Sequence, residues 1–158
     1  MPDIRIFLDN IRSVHNAGSI FRTAETLGIS RIYCGGTTPI PFDRFKQKRK
    51  DFAKVALGAE EMVPWEHISD ADSISLIKKL KKEEFQTIAL EQVPKSIDYK
   101  KIKVAQKALV ILGNEVEGVS PRLLKEASIC VEIPLQGKKE SLNVSVAAGI
   151  FLYRLFDR

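Results

Sequence analysis

Three stretches of the chain place glycine beside polar side chains directly after an apolar run, and each could hold a ligand. The first is NIRSVHNAGS, leading into FRTAETLG. It carries Asn16 and, six residues on, Arg22. An arginine side chain is permanently charged, so it can bind phosphate or stabilise a developing oxyanion. The second is GNEVEG, where Gly113 lets a ligand approach the backbone and Glu115 can anchor a substrate or orient a side chain. The third is PLQGKKESLNVS, which sets Ser141, Asn143 and Ser145 at the mouth of a helix, where small polar groups suit a ligand's polar atoms. Each stretch also has a plain structural reading: a helix cap at Asn16, a tight turn before Ser120, a cap near Asn143. Spacing alone leaves both open.

A fourth stretch, RFKQKRK, sets Phe45 among Arg44, Lys46, Lys48, Arg49 and Lys50. Such a run contacts phosphates and stacks an unpaired base, or is simply a solvated loop. Lys138 and Lys139 would extend the same basic surface. The lysines at 78, 79, 81 and 82 read as the solvated face of a helix.

Other chemistries lose support. The glycines of GNEVEG are not spaced as GxGxxG, and no GxxxxGK[ST] occurs, so neither a dinucleotide fingerprint nor a P-loop is present. Cys34 and Cys130 form no CxxC and sit in apolar runs, which reads as two buried free thiols, with no metal site. His15 and His67 pair with no nucleophile and read as structural or surface residues, and Trp65 as packing. No signal peptide or membrane-length apolar run appears, which predicts a cytoplasmic protein. The net charge of +5 favours an anionic partner.

The elements that must position these groups alternate strand with helix. IRIFLDN (4–10), RIYCGG (31–36), FQTIALE (85–91), KALVILG (107–113) and SICVEIP (128–134) read as strands, with EMVPW as a further short one. A helix starts at Asn16 as its cap and stops at Gly28, with Ile20, Phe21, Ala24 and Leu27 on one face. TTPIP is stiff and extended. Residues 70–84 and about 142–157 are amphipathic helices, and Ser120 caps a short helix with Pro121 at its first position. This order predicts one α/β domain whose parallel sheet is flanked by helices. Ligands of such sheets bind beyond the carboxyl ends of the strands, where all three glycine-containing loops fall.

Taken in order, NIRSVHNAGSIFRTA, LVILGNEVEGVS and IPLQGKKESLNVSVAAGI resemble the three sequence blocks of the SpoU (TrmH-like) family of SPOUT RNA methyltransferases. The resemblance implies an α/β knot whose C-terminal part forms a deep trefoil. It implies a homodimer with the site near the subunit interface, and no N-terminal RNA-binding extension on this chain. The implied cofactor is S-adenosylmethionine, held by Gly113, Asn114, Ile133, Leu135, Leu142 and Asn143. The implied reaction is methyl transfer to a ribose 2′-hydroxyl of tRNA or rRNA. Arg22, Asn16, Glu115, Ser141 and Asn143 fall on the family's functional positions, with Arg22 as the catalytic arginine. RNA would be gripped by Arg12, Arg44, Lys46, Lys48, Arg49 and Lys50. Ser13 stands where the family commonly has aspartate, and Val116 where it has glycine. The alternatives are a non-catalytic RNA-binding or assembly module that keeps the fold, and an α/β nucleotide-binding hydrolase. The intact motif residues argue against the first, and the missing P-loop and nucleophile–base motif against the second.

Overall fold

Apolar side chains on successive residues of the strand segments require cover on both faces of the sheet. The computed structural model, which describes residues 1–156, supplies it. Seven parallel strands are arranged in the order β3-β2-β1-β6-β4-β7-β5. They are β1 (Asp3–Asp9), β2 (Arg31–Gly35), β3 (Trp65–Ile68), β4 (Gln86–Leu90), β5 (Ile97–Asp98), β6 (Lys107–Leu112) and β7 (Ile129–Glu132). The helices are α1 (Val14–Leu27), α2 (Lys50–Ala56), α3 (Ala59–Met62), α4 (Asp70–Lys82), α5 (Pro121–Leu124) and α6 (Val144–Phe156).

Strand side chains alternate between two cores, as the pleat demands. Ile4, Ile6, Leu8, Ile32, Val110 and Val131 pack under α1, α2, α3 and α6. Phe7, Tyr33, Leu109 and Ile111 pack under α4 and α5. Cys34 and Cys130 are buried free thiols, and burial pushes the Cys34 thiol up to about 12, which keeps it an inert packing group.

Local chemistry sets the boundaries that matter for the site. Helix α1 starts earlier than its sequence suggests: Ser13, not Asn16, is the N-cap, and its hydroxyl accepts from the Asn16 backbone N–H. Serine caps as well as aspartate does, which explains its tolerance at this position. Gly28 ends α1 at φ 68°, the left-handed conformation glycine adopts without strain. Pro64 lies before β3, so the EMVPW strand begins only at Trp65. The two-residue β5 gives no periodic signal in sequence; it is an edge strand paired with β7. Ser120 occupies the cap position of α5, yet its hydroxyl is buried without a partner; its backbone N–H instead donates to Asp9. Among the described residues no helix is long and apolar enough to cross a membrane, and no group of His, Cys, Asp and Glu is placed to hold a metal.

Candidate active site

A cleft of about 430 Å³ opens at the carboxyl ends of β4, β6 and β7. Its size suits a small-molecule ligand. Leu90, Leu112, Ile133, Leu135 and Leu142 form its apolar walls. The charged groups lining it are all carboxylates: Glu91, Glu115, Glu117 and Glu132.

Glu115 is the hub of the rim. One oxygen accepts from the Ser13 backbone N–H at 3.1 Å and from Asn16 Nδ2 at 2.9 Å. The other accepts from the Arg12 backbone N–H at 2.9 Å. Partial burial pushes the Glu115 carboxyl up, but the donors from Asn16, Arg12 and Ser13 outweigh it and hold the group below its ordinary value. A carboxylate that already accepts these bonds is an anchor for the start of α1, not a free base.

The chain of bonds continues. Asn16, 6% exposed, turns its amide oxygen to Asn143 Nδ2 at 3.1 Å. The Asn143 oxygen accepts from the Ser145 backbone N–H and hydroxyl, capping the start of α6. Glu115, Asn16 and Asn143 thus join the three polar loops, the first of which lies 99 and 127 residues in sequence from its two partners. A side-chain amide that donates at one end and accepts at the other is held in one orientation, which is what a positioning residue needs.

The remaining polar groups of the second loop also bond within the chain. The Asn114 amide donates to the Asn10 carbonyl, and its oxygen accepts from the Val116 and Glu117 backbone N–H groups. A side chain at Gly113 would put its Cβ 2.1 Å from the Val119 nitrogen. Glycine there admits the chain's own returning backbone as much as any ligand. Val116, 72% exposed, points away from packing, so a branched residue costs nothing in the glycine's place.

The SpoU rRNA methylase family model matches residues 3–153. The chain belongs to this family. It is 29% identical over 152 residues to a tRNA (guanosine(18)-2′-O)-methyltransferase of Aquifex aeolicus, a match covering 96% of the chain and 67% of that relative. It is 36% identical to an uncharacterized tRNA/rRNA methyltransferase of Archaeoglobus fulgidus, across 95% of the chain and 62% of the relative. An AdoMet-bound rRNA methyltransferase from Sinorhizobium meliloti superimposes with a TM-score of 0.84 at 27% identity, covering 98% of this chain and 56% of that one. The chain therefore spans roughly half to two thirds of the length of these relatives.

The SpoU-type residues expected from sequence separate into two groups. Gly113, Asn114, Ile133, Leu135, Leu142 and Asn143, with Glu115 and Ser141, all line the cleft. Asn16 touches it through Glu115 and Asn143. Arg22 does not line it: its side chain is exposed, about 9 Å further along α1 than Asn16, with no hydrogen bond or ion pair among the described residues. Arg12 is exposed at the Glu115 anchor. Of the basic run, Arg49 pairs with Asp51 and Lys48 with Glu61, so these two cations brace the segment that carries them.

Sequence reasoning missed Glu91. It lines the cleft, and its carboxylate accepts from the Val119 and Gln92 backbone N–H groups. Its place directly after β4, at the carboxyl edge of the sheet, was the available signal.

Proposed function

We propose that this protein transfers the methyl group of S-adenosylmethionine to a ribose 2′-hydroxyl of tRNA or rRNA, as a homodimer. The observation that carries this reading is the bonded path Glu115–Asn16–Asn143 at the rim of a carboxylate-lined cleft. S-adenosylmethionine bears a net positive charge, and a cleft whose charged lining is wholly carboxylate suits it. Leu90, Ile133, Leu135 and Leu142 would enclose its adenine, and Glu91 and the loop around Gly113 its polar parts. When bound, the cofactor supplies a sulfonium-activated methyl group. The family fold further implies that the C-terminal part of the chain forms a deep trefoil knot.

The protein's own part is positioning and charge. Ser141 lies exposed at the cleft mouth, free to meet the ribose. Arg22 would stabilise the negative charge that develops on the 2′-oxygen as it takes the methyl group and its proton passes to solvent water; a permanently charged guanidinium stabilises this charge rather than accepting the proton. Because Arg22 lies outside its own cleft, the dimer is where it reaches a cleft. Exposed Val146, Ile150 and Tyr153 recur at helical spacing on α6 and offer the apolar stripe for that contact.

The test combines titration calorimetry with S-adenosylmethionine and incorporation of its labelled methyl group into total RNA. Binding with incorporation is expected. RNA binding without cofactor binding would instead favour a non-catalytic module.

A further inference from the structure

The basic turn ahead of α2 is built more rigidly than a solvated loop requires. Phe42 and Lys48 bridge across it, and the Asp43 backbone N–H donates to the Gln47 carbonyl. Asp43 Oδ1 accepts from the backbone N–H groups of Phe45 and Gln47, at 2.8 and 2.9 Å. Lys46 takes φ 62° at the tip, a conformation held by its own N–H bond to the Asp43 carbonyl. The Phe42 ring leans on Trp65, with centroids 6.1 Å apart, and Lys48 and Arg49 tie the base of the turn to Glu61 and Asp51.

With Phe42 leaning on Trp65, this bracing leaves the Phe45 ring as the turn's most exposed apolar group. Phe45 is 68% exposed, and the Arg44 guanidinium lies 4.8 Å from its centroid. Arg44, Lys46 and Lys50 make no ion pair among the described residues. An exposed ring on an unbraced loop has an ordinary explanation; a ring carried on a turn tied this way, with Arg44 against it and unpaired Lys46 and Lys50 on the same segment, does not.

The turn also lies on the side of the molecule that carries Arg22. Gly18 of α1 faces Val55 of α2, and the rings of Phe21 and Phe52 meet edge to face at 5.1 Å. The two helices therefore run antiparallel, and Lys50 at the start of α2 falls level with the residues just after Arg22. Packed helices lie about 8–10 Å apart.

We propose that Phe45 is a stacking platform for an unpaired base of the RNA, with Arg44, Lys46 and Lys50 holding the flanking phosphates. The base lies on the ring face that Arg44 leaves open. This rests on the reading of the protein as an RNA methyltransferase, and it adds that the RNA is single-stranded or bulged a short distance from the modified ribose. A fully paired duplex offers no base face to the ring.

The experiment compares wild type, Phe45→Ala and Phe45→Trp in three measurements: binding of a fluorescent single-stranded oligouridine, methyl incorporation into total tRNA, and calorimetric binding of S-adenosylmethionine. Stacking on an aromatic is worth about 1–3 kcal/mol per base, which is roughly 5- to 150-fold in affinity. Phe45→Ala is expected to weaken oligouridine binding within that range and to raise KM for RNA with kcat unchanged. Phe45→Trp is expected to restore both, and cofactor binding to stay constant throughout. Wild-type affinity and KM in Phe45→Ala, beside an active wild-type enzyme, would overturn the platform and leave the methyltransferase standing. A wild type that binds S-adenosylmethionine but neither binds nor methylates RNA would overturn both. The ring is exposed and the turn is held by Asp43, so the alanine variant keeps its fold.

Discussion

Asn16 and Arg22 stand six residues apart on one helix, and both are polar groups among small or apolar neighbours. Their surroundings are opposite. Asn16 is buried, with its amide bonded at one end to Glu115 and at the other to Asn143. The Arg22 side chain is exposed and makes no hydrogen bond or ion pair among the described residues. The contrast separates two kinds of work. A group whose bonds are all satisfied within the chain holds the site's shape. A charged group left unsatisfied is available to something that arrives.

The sharpest way to break this contrast is Arg22→Ala. Removing a charge that stabilises a transition-state oxyanion costs about 10²–10³ in kcat. We expect turnover to fall by that order, with melting temperature and S-adenosylmethionine affinity unchanged. A loss of melting temperature would place Arg22 with the structural group instead.

Asn16→Ala should behave in the opposite manner. It removes the bonds to Glu115 and Asn143, each worth about 0.5–1.5 kcal/mol net where the remaining partner can still reach water. Chemical denaturation should register that loss, and activity should fall with it. Asn16→Asp should be worse than alanine, because it turns a second carboxylate toward Glu115.

Acid should expose the same network. The folded Glu115 carboxyl is held below its ordinary value of 4.5. The stability it adds is therefore complete above that value and is lost as pH falls through the lower, folded value. Glu115→Gln keeps the shape but cannot ionise, so its stability should depend less on pH below 4.5 than the wild type's does. Superimposable pH profiles would remove the carboxylate from the account.

Ser13→Ala should show the smallest effect. It removes the N-cap bond to the Asn16 N–H, worth about 1 kcal/mol, while Ser13→Asp should retain most of it. Neither variant should alter the ratio of activity between wild type and Arg22→Ala.

Much of this arrangement was legible in the sequence because it rests on local rules. Long apolar runs such as KALVILG mark the buried strands, and loops after them mark the carboxyl edge where the cleft opens. Gly28 is read correctly as a helix stop, since its left-handed conformation is a local property. The cap of α1 was misplaced because Ser13 and Asn16 are both good caps by composition. What decides between them is Glu115, brought from a hundred residues away. The basic run shows the same limit. Sequence displays five cations in it, but not that Glu61, from 13 residues on, folds back to pair with Lys48. Long-range partners, rather than residue types, separate positioning groups from available ones.

The central claim is the target of the methyl group. The most direct measurement incubates the protein with labelled S-adenosylmethionine and RNA, then hydrolyses the RNA in alkali. A methylated 2′-hydroxyl cannot attack the adjoining phosphate, so ribose methylation predicts that the label is recovered in alkali-resistant dinucleotides. Label recovered in mononucleotides would place the methyl group on a base and contradict the account.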